Sequence, residues 1–175
     1  MHTAEPVLDP IADGDFLADV GVLADSVAHG GWSPDFIIGI GRGGLVPAVY
    51  LSHRLDVPML SIDQSSRLPD FADALLGKVA AKTVAGTKLL VVDDINDSGA
   101  TIATIRELLA ANGGDAANLR FAVLLDNVRS SARVDYRART IDRHDDKRWF
   151  VFPWEAVGAT ATIVADARAV SGRLA

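Results

Sequence analysis

Lys88-Leu89-Leu90-Val91-Val92-Asp93-Asp94-Ile95-Asn96-Asp97-Ser98-Gly99-Ala100-Thr101 is the stretch from which the fold is read. Leu89 to Val92 form an apolar run expected to be a buried strand. It leads into the adjacent carboxylates Asp93 and Asp94, and a small polar loop follows from Ile95 to Thr101. A helix then opens with Ile102, Ile105, Leu108 and Leu109 on one face. The order strand, acidic pair, loop, helix sets side chains and amides at the carboxyl end of a strand, where open α/β sheets bind ligands. The loop amides and the Ser98 and Thr101 hydroxyls suit one phosphate at a helix N-terminus. Gly99 permits close approach of the backbone. The carboxylates suit sugar hydroxyls or a hydrated Mg2+. A sugar phosphate with a metal is the expected guest, since an ordinary turn needs neither the three aspartates nor the two hydroxyls.

Val91 to Thr101 resembles the phosphoribosyl-diphosphate (PRPP) binding motif of type I phosphoribosyltransferases. In that motif an apolar strand precedes two acidic residues, a short gap and Asp-Thr/Ser-Gly-x-Thr. Here Ser98-Gly99-Ala100 stands where many relatives have Thr-Gly-Gly. The resemblance spans roughly residues 33–156. It implies an α/β fold: a central, mostly parallel sheet with flanking helices and a small hood built from the chain ends. It also implies transfer of a ribosyl 5-phosphate group from PRPP to a nucleobase, with release of pyrophosphate. Asp93 and Asp94 would hold the ribose hydroxyls, directly or through Mg2+. Asp97, Ser98, Gly99, Ala100 and Thr101 would hold PRPP, and Asp97 would also accept the proton of the base as the catalytic residue.

The chain of 175 residues is read as one domain, 1–175, with its core at about 33–156. With 49% hydrophobic and 23% charged residues it has an ordinary globular composition. A net charge of −6 argues against nucleic acid as a partner. It also means that a polyanionic substrate must rely on local amides, arginines and metal. The absence of cysteine excludes disulfides, a thiol nucleophile and thiolate metal sites. No apolar run approaches the ~20 residues that span a membrane. The opening MHTAEPVLDP lacks signal-peptide character. A cytoplasmic homo-oligomer (dimer or tetramer) acting on small molecules is the expected setting.

Residues 1–14 read as a loose lead-in. Phe16, Val20, Leu23 and Val27 then mark a helix stopped by Gly30-Gly31, with His29 a helix-terminus residue. Asp35 to Ile40 is a strand, followed by Gly41-Arg42-Gly43-Gly44, a helix from Leu45 to Leu55 with Pro47 in its first turn, and a strand from Pro58 to Ile62. Gly39, Gly41 and Gly44, with Asp63 at the end of the next strand, also satisfy a dinucleotide-binding fingerprint, so an NAD-dependent oxidoreductase is one rival reading. Under the resemblance the same glycines are the family's small-Arg-Gly-Gly loop, where Arg42 and Gly43 would hold pyrophosphate; an Arg fork pairs well with phosphate oxygens.

Residues 63–87 have weak periodicity, with Ser65, Ser66, Arg67, Lys78 and Lys82 among scattered Gly and Pro. They occupy the place of the family's mobile lid, with Ser66 and Arg67 as lid candidates and a short helix at Phe71 to Leu76. An ordinary surface loop is the alternative. Past Asn112-Gly113-Gly114, Leu119 to Leu125 is another buried strand. Residues 126–148 carry Arg129, Arg133, Arg137, Arg139, Arg143 and Lys147 among acidic residues, and read as a solvated surface.

Trp149 to Glu155, WFVFPWE, resembles the purine-binding end of small xanthine–guanine and hypoxanthine–guanine phosphoribosyltransferases. Trp149 would stack on the base, and main-chain amides from Phe150 to Phe152 would read its edge. Trp154 and the phenylalanine rings read as core. In that family a lysine after the preceding strand donates to the exocyclic oxygen of the base; here Asp126-Asn127-Val128-Arg129 follows Leu125. Arg129 or Asn127 would take over, or Asp126 would accept from an amino group. A purine substrate is expected, with 6-oxopurines favoured by the resemblance. A PRPP- or nucleotide-sensing protein on the same fold remains the second rival. The last twenty residues read as a final helix without chemistry.

Overall fold

Adjacent residues of the apolar strands pack on opposite faces of one sheet. Ile37, Leu90 and Val92 join one buried cluster, while Ile38, Leu89 and Val91 join another. This period of two is what a strand buried on both faces requires. The computed structural model describes residues 5–62 and 69–170, without the side chains of 69–76. In chain order the elements are β1 (Leu8–Pro10), α1 (Asp13–His29), β2 (Phe36–Ile40), α2 (Gly41–Leu55), β3 (Met59–Ile62) and α3 (Pro69–Val84). They continue with β4 (Leu89–Asn96), α4 (Ala100–Ala111), β5 (Leu119–Asn127), β6 (Tyr136–Ile141), β7 (Trp149–Val151) and α5 (Thr160–Ala169).

Five strands form an all-parallel sheet in the order β3-β2-β4-β5-β6. Helices cover both faces. Phe16, Val20, Leu23 and Val27 of α1 and Ala48 and Leu51 of α2 fill one side. Val79 and Ala80 of α3 and Ile102, Ile105 and Leu109 of α4 fill the other. The expected α/β fold with a central parallel sheet and flanking helices is the fold observed. A separate pair, β1 with β7, builds a small hood from the two ends of the chain, also as expected. Among the described residues no helix is long and apolar enough to cross a membrane.

Several boundaries differ from the sequence reading. The lead-in is not all loose, because Leu8–Pro10 is a strand of the hood. Helix α2 begins at Gly41 rather than Leu45, so the glycine loop is its first turn. Gly41 turns the chain out of β2 with a φ of 53°, a conformation glycine adopts without strain. β4 does not stop at Val92 but runs to Asn96, since its ladder with β5 continues through Asp93↔Val123 and Ile95↔Leu125. The acidic pair therefore sits on a strand. The expected loop at 63–87 contains the 16-residue helix α3 in place of a short helix at Phe71 to Leu76. Pro69 opens it, a position where a missing N–H costs nothing. Val79, Ala80 and Thr83 then bury a helical stripe on the sheet. Asp63, Ser66 and Arg67 lie outside the described residues.

Candidate active site

The connections leaving β2 and β4 run to opposite sides of the sheet, so strand order reverses between these two neighbours. The carboxyl ends of such a pair diverge into a crevice where open α/β sheets bind ligands. A cavity of about 680 Å3 lies there. Arg42 and Gly43 reach it from the first turn of α2, Asp93 and Asp94 from β4, Ala100 and Thr101 from α4, and Trp149 from β7. A smaller adjoining cavity of about 200 Å3 is lined by the run from Asp93 to Ile102, which includes Asp97, Ser98 and Gly99.

The close fit of α2 on β4 explains the glycine pattern. A Cβ on Gly44 would stand 2.1 Å from the Val92 carbonyl oxygen, and one on Gly43 would stand 2.4 Å from Oδ2 of Asp94. The glycines let the helix start lie directly beside the acidic pair. No dinucleotide is needed to account for them.

Asp94 donates its amide to Oδ1 of Asp93 at 3.0 Å, and Ile95 donates its amide to Oδ1 of Asp94 at 2.7 Å. Burial, and next the charge of Asp94, push the Asp93 carboxyl well above the usual carboxylate range. Burial, and next the charge of Glu155, push Asp94 up to about 7. These are carboxylates short of positive charge. The described residues contain no cluster of three or more His, Cys, Asp or Glu able to hold a metal alone. Two hard oxygen donors facing an open cavity fit Mg2+ completed by substrate oxygens and water, the usual mode for this ion.

The phosphate-type loop is braced from behind. Gly99 has a φ of 88°, and a Cβ there would meet the Ala132 amide nitrogen at 2.5 Å. Ser131 donates both its hydroxyl and its amide to the Ser98 carbonyl, at 2.7 and 3.2 Å. Buried Asn96 donates to Oδ1 of Asp126 and to the Ala132 carbonyl, both at 2.8 Å. Asn127 donates to the Asp97 carbonyl at 2.9 Å.

The side chains expected at the base edge are engaged by this bracing or beside it. Asp126 is committed to Asn96 and to Arg137 at 3.5 Å. Arg129 forks onto Asp142. Asn127 holds the Asp97 main chain with its amide nitrogen and receives the Arg129 and Arg143 amides on its oxygen. Asp126 and Asn127 brace the loop, while Arg129 is held at Asp142. The group that reaches the site instead is Arg143, from the stretch read as solvated surface. Its Nε and Nη2 lie 3.1 and 3.0 Å from Oδ2 of buried Asp97. Its Nη1 donates to the carbonyls of Arg148 at 2.6 Å and Asp146 at 3.3 Å. Its guanidinium stands 4.9 Å from the centre of the Phe150 ring.

Trp149 is half-buried and faces two cavities, the large one and a small one shared with Asp94, Asp97, Arg143 and Glu155. The Phe150 ring is core, packed with the α1 side of the sheet. The Phe152 amide is committed to Oε2 of Glu155 at 3.0 Å. Trp154 stacks on Phe152 at 4.8 Å and meets Phe16 edge-on, which accords with its core reading, although it also borders the large cavity. The hood fixes Trp149 in place: its amide donates to the Val7 carbonyl at 2.8 Å, and Arg148 pairs with Asp9 at 3.0 Å. Sequence reasoning missed Arg143, Glu155 and the α5 residues Thr162 and Asp166 that close the far wall. The Trp-x-x-x-Pro-Trp-Glu ending pointed to Glu155. Nothing in local sequence marked Arg143 or α5.

Residues 12–157 match the family described as Phosphoribosyl transferase domain. The xanthine-guanine phosphoribosyltransferase of Nitratidesulfovibrio vulgaris is 29% identical over 122 residues, 69% of this chain and 68% of that protein. Among solved structures, a purine phosphoribosyltransferase from Pyrococcus horikoshii superposes with a TM-score of 0.62 at 26% identity, covering 84% of this chain and 93% of the other. A Neisseria gonorrhoeae protein solved with bound ppGpp shares the fold with a TM-score of 0.63 at 20% identity, covering 96% and 99% of the two chains.

Proposed function

The chain belongs to the phosphoribosyl transferase domain family, and from that premise we propose that it transfers ribosyl 5-phosphate from PRPP to a purine base, 6-oxopurines preferred. One observation carries the reading: the first turn of α2, the acidic pair, the phosphate-type loop and Trp149 converge on one crevice. The amides and hydroxyls of Ser98, Gly99, Ala100 and Thr101 receive the 5-phosphate. Asp93 and Asp94 accept from the ribose hydroxyls. Arg42 and the Gly43 turn receive the pyrophosphate. Trp149 offers the base a flat apolar face, and the Phe150 segment borders its edge. As the base nitrogen bonds to C1, the C1–oxygen bond to pyrophosphate breaks and the proton of the base passes to Asp97. Asp93 and Asp94 would hold Mg2+, which would supply neutralisation of the charge that develops on the leaving pyrophosphate. The relatives named above support the purine class. Leu45, Val49 and Tyr50 are exposed on α2 and support a homo-oligomer. The cytoplasmic setting rests on the sequence reading alone.

The test is pyrophosphate release from PRPP and Mg2+ over a panel of purines and pyrimidines. Release with purines, fastest with 6-oxopurines, is the expected result. Asp97→Asn should lower turnover by roughly 10²–10⁴-fold while PRPP affinity stays within a few-fold. Full turnover in that variant removes the role of Asp97. A nucleotide-sensing role is favoured by a single observation: Oδ2 of Asp97 is already engaged by Arg143, which competes with the base for that carboxylate. PRPP or ppGpp binding with no release for any base would establish the sensor instead.

A further inference from the structure

Arg143 is the one guanidinium bordering the small cavity between Asp97 and Trp149 among the described residues. Its side chain is only 12% exposed. A guanidinium has five N–H donors in a fixed plane. Nε is given to Asp97, and Nη1 to the Arg148 and Asp146 carbonyls. Nη2 lies beside the same Asp97 oxygen and has two hydrogens, which diverge in the plane, so at least one is left for a ligand. The group is also immobilised: the Arg143 amide donates to Oδ1 of Asn127, whose other end holds the Asp97 main chain, and Phe150 lies under the plane. A fixed cation with one uncommitted donor next to an aromatic stacking face is a reader for a carbonyl on a flat ring. Asp126, Asn127 and Arg129 have partners elsewhere.

We propose that Arg143 reads the base edge, donating from Nη2 to the exocyclic oxygen of a 6-oxopurine stacked on Trp149, and so rejects 6-aminopurines. The proposal rests on the purine reading above. It makes Arg143 a specificity residue on the turn after β6. A 6-amino group brings its own hydrogens to a donor that cannot turn away, leaving both unpaired.

Binding and turnover are measured separately. Inosine and adenosine 5′-monophosphates are titrated by calorimetry into the wild-type chain, into Arg143→Gln, and into the Arg143→Gln/Asp97→Asn double variant. The double variant also removes the buried carboxylate that loses its Arg143 contact in the single one, and thermal melts report which variants are folded. Wild type should prefer the inosine nucleotide by at least about tenfold, in line with hydrogen-bond discrimination. The folded variants should lose most of that preference, since a carboxamide both donates and accepts, while Arg143→Gln alone keeps its PRPP affinity within a few-fold. A preference retained in the variants overturns the proposal and leaves the transfer reading intact. Wild type that binds both nucleotides equally, prefers the adenosine one or binds neither also overturns it. An Arg143-dependent preference without pyrophosphate release upholds it while the transfer reading fails.

Discussion

Replacing Gly43 or Gly44 by alanine separates the site from the fold within two adjacent residues. A Cβ on Gly43 would lie 2.4 Å from Oδ2 and 2.8 Å from Cγ of Asp94. Comfortable contact needs ~3.5 Å, so the carboxyl group must move by roughly 1 Å. It is the far end of a side chain and can rotate. The helix meanwhile gains the ~0.5–1 kcal/mol by which alanine exceeds glycine inside a helix. Stability should therefore stay within about 1 kcal/mol of wild type. A displacement of about 1 Å in a positioned group costs on the order of 10²-fold, about 2.7 kcal/mol in binding. Gly44→Ala places its Cβ 2.1 Å from the Val92 oxygen and 3.1 Å from the Asp93 Cα, both backbone atoms of a central strand. The strand cannot yield, and the cost should be ~1–3 kcal/mol or more in stability. Urea denaturation measures the stabilities, and calorimetry with PRPP and Mg2+ measures the affinities. Wild-type PRPP affinity in Gly43→Ala would refute the placing of Asp94, and wild-type stability in Gly44→Ala would refute the packing argument.

Two further outcomes follow from the site. Asp93 and Asp94 hold protons in the folded state that the unfolded chain releases near its ordinary value of 3.8. The Asp94 contribution to stability is therefore full in acid and is lost as pH rises from about 4 toward about 7, and the Asp93 contribution falls in the same direction. Urea midpoints of the metal-free chain between pH 5 and 7.5 should show this fall, of order ~1–4 kcal/mol, and Asp94→Asn should show less of it; identical profiles would sink the assignment. Trp149→Ala should weaken base affinity by ~1–3 kcal/mol, the worth of one stacked aromatic, with PRPP affinity unchanged. Unaltered binding of the base would remove Trp149 from its pocket.

The parts of this site that lie within one strand–loop–helix unit were legible in the sequence. Asp93, Asp94 and the run from Asp97 to Thr101 come from consecutive positions whose chemistry and order are read together. The first turn of α2 was legible as a glycine pattern with two meanings, and the family match over residues 12–157 decides between them. Arg143 was not legible, because an arginine among acidic residues looks the same whether its partner is solvent or a buried aspartate 46 positions away. Asn127 and Asp126 are engaged behind the loop for a related reason. They end β5 as buried polar groups that must find partners, and the back of the phosphate-type loop supplies them. Helix α3 was obscured by Gly77 and by alanines that carry little periodic signal. Its burial of Val79 and Ala80 is a tertiary effect.

The hood has a consequence for how the protein is made. Leu8 pairs with Trp149 and Pro10 with Val151, so the strand that carries Trp149 is held by a segment far from it in sequence. A ribosome delivers β1 well before β7. Until residue 151 has emerged, β1 has nothing to pair with, whereas β2, β4 and the phosphate-type loop can already be assembled. Closing so long a loop carries an entropy cost that grows only slowly with its length, but the closure waits for β7. On the proposed function, a nascent chain would acquire its sugar-phosphate half before its base half. One that stalls short of β7 would hold the proposed cradle for PRPP without Trp149.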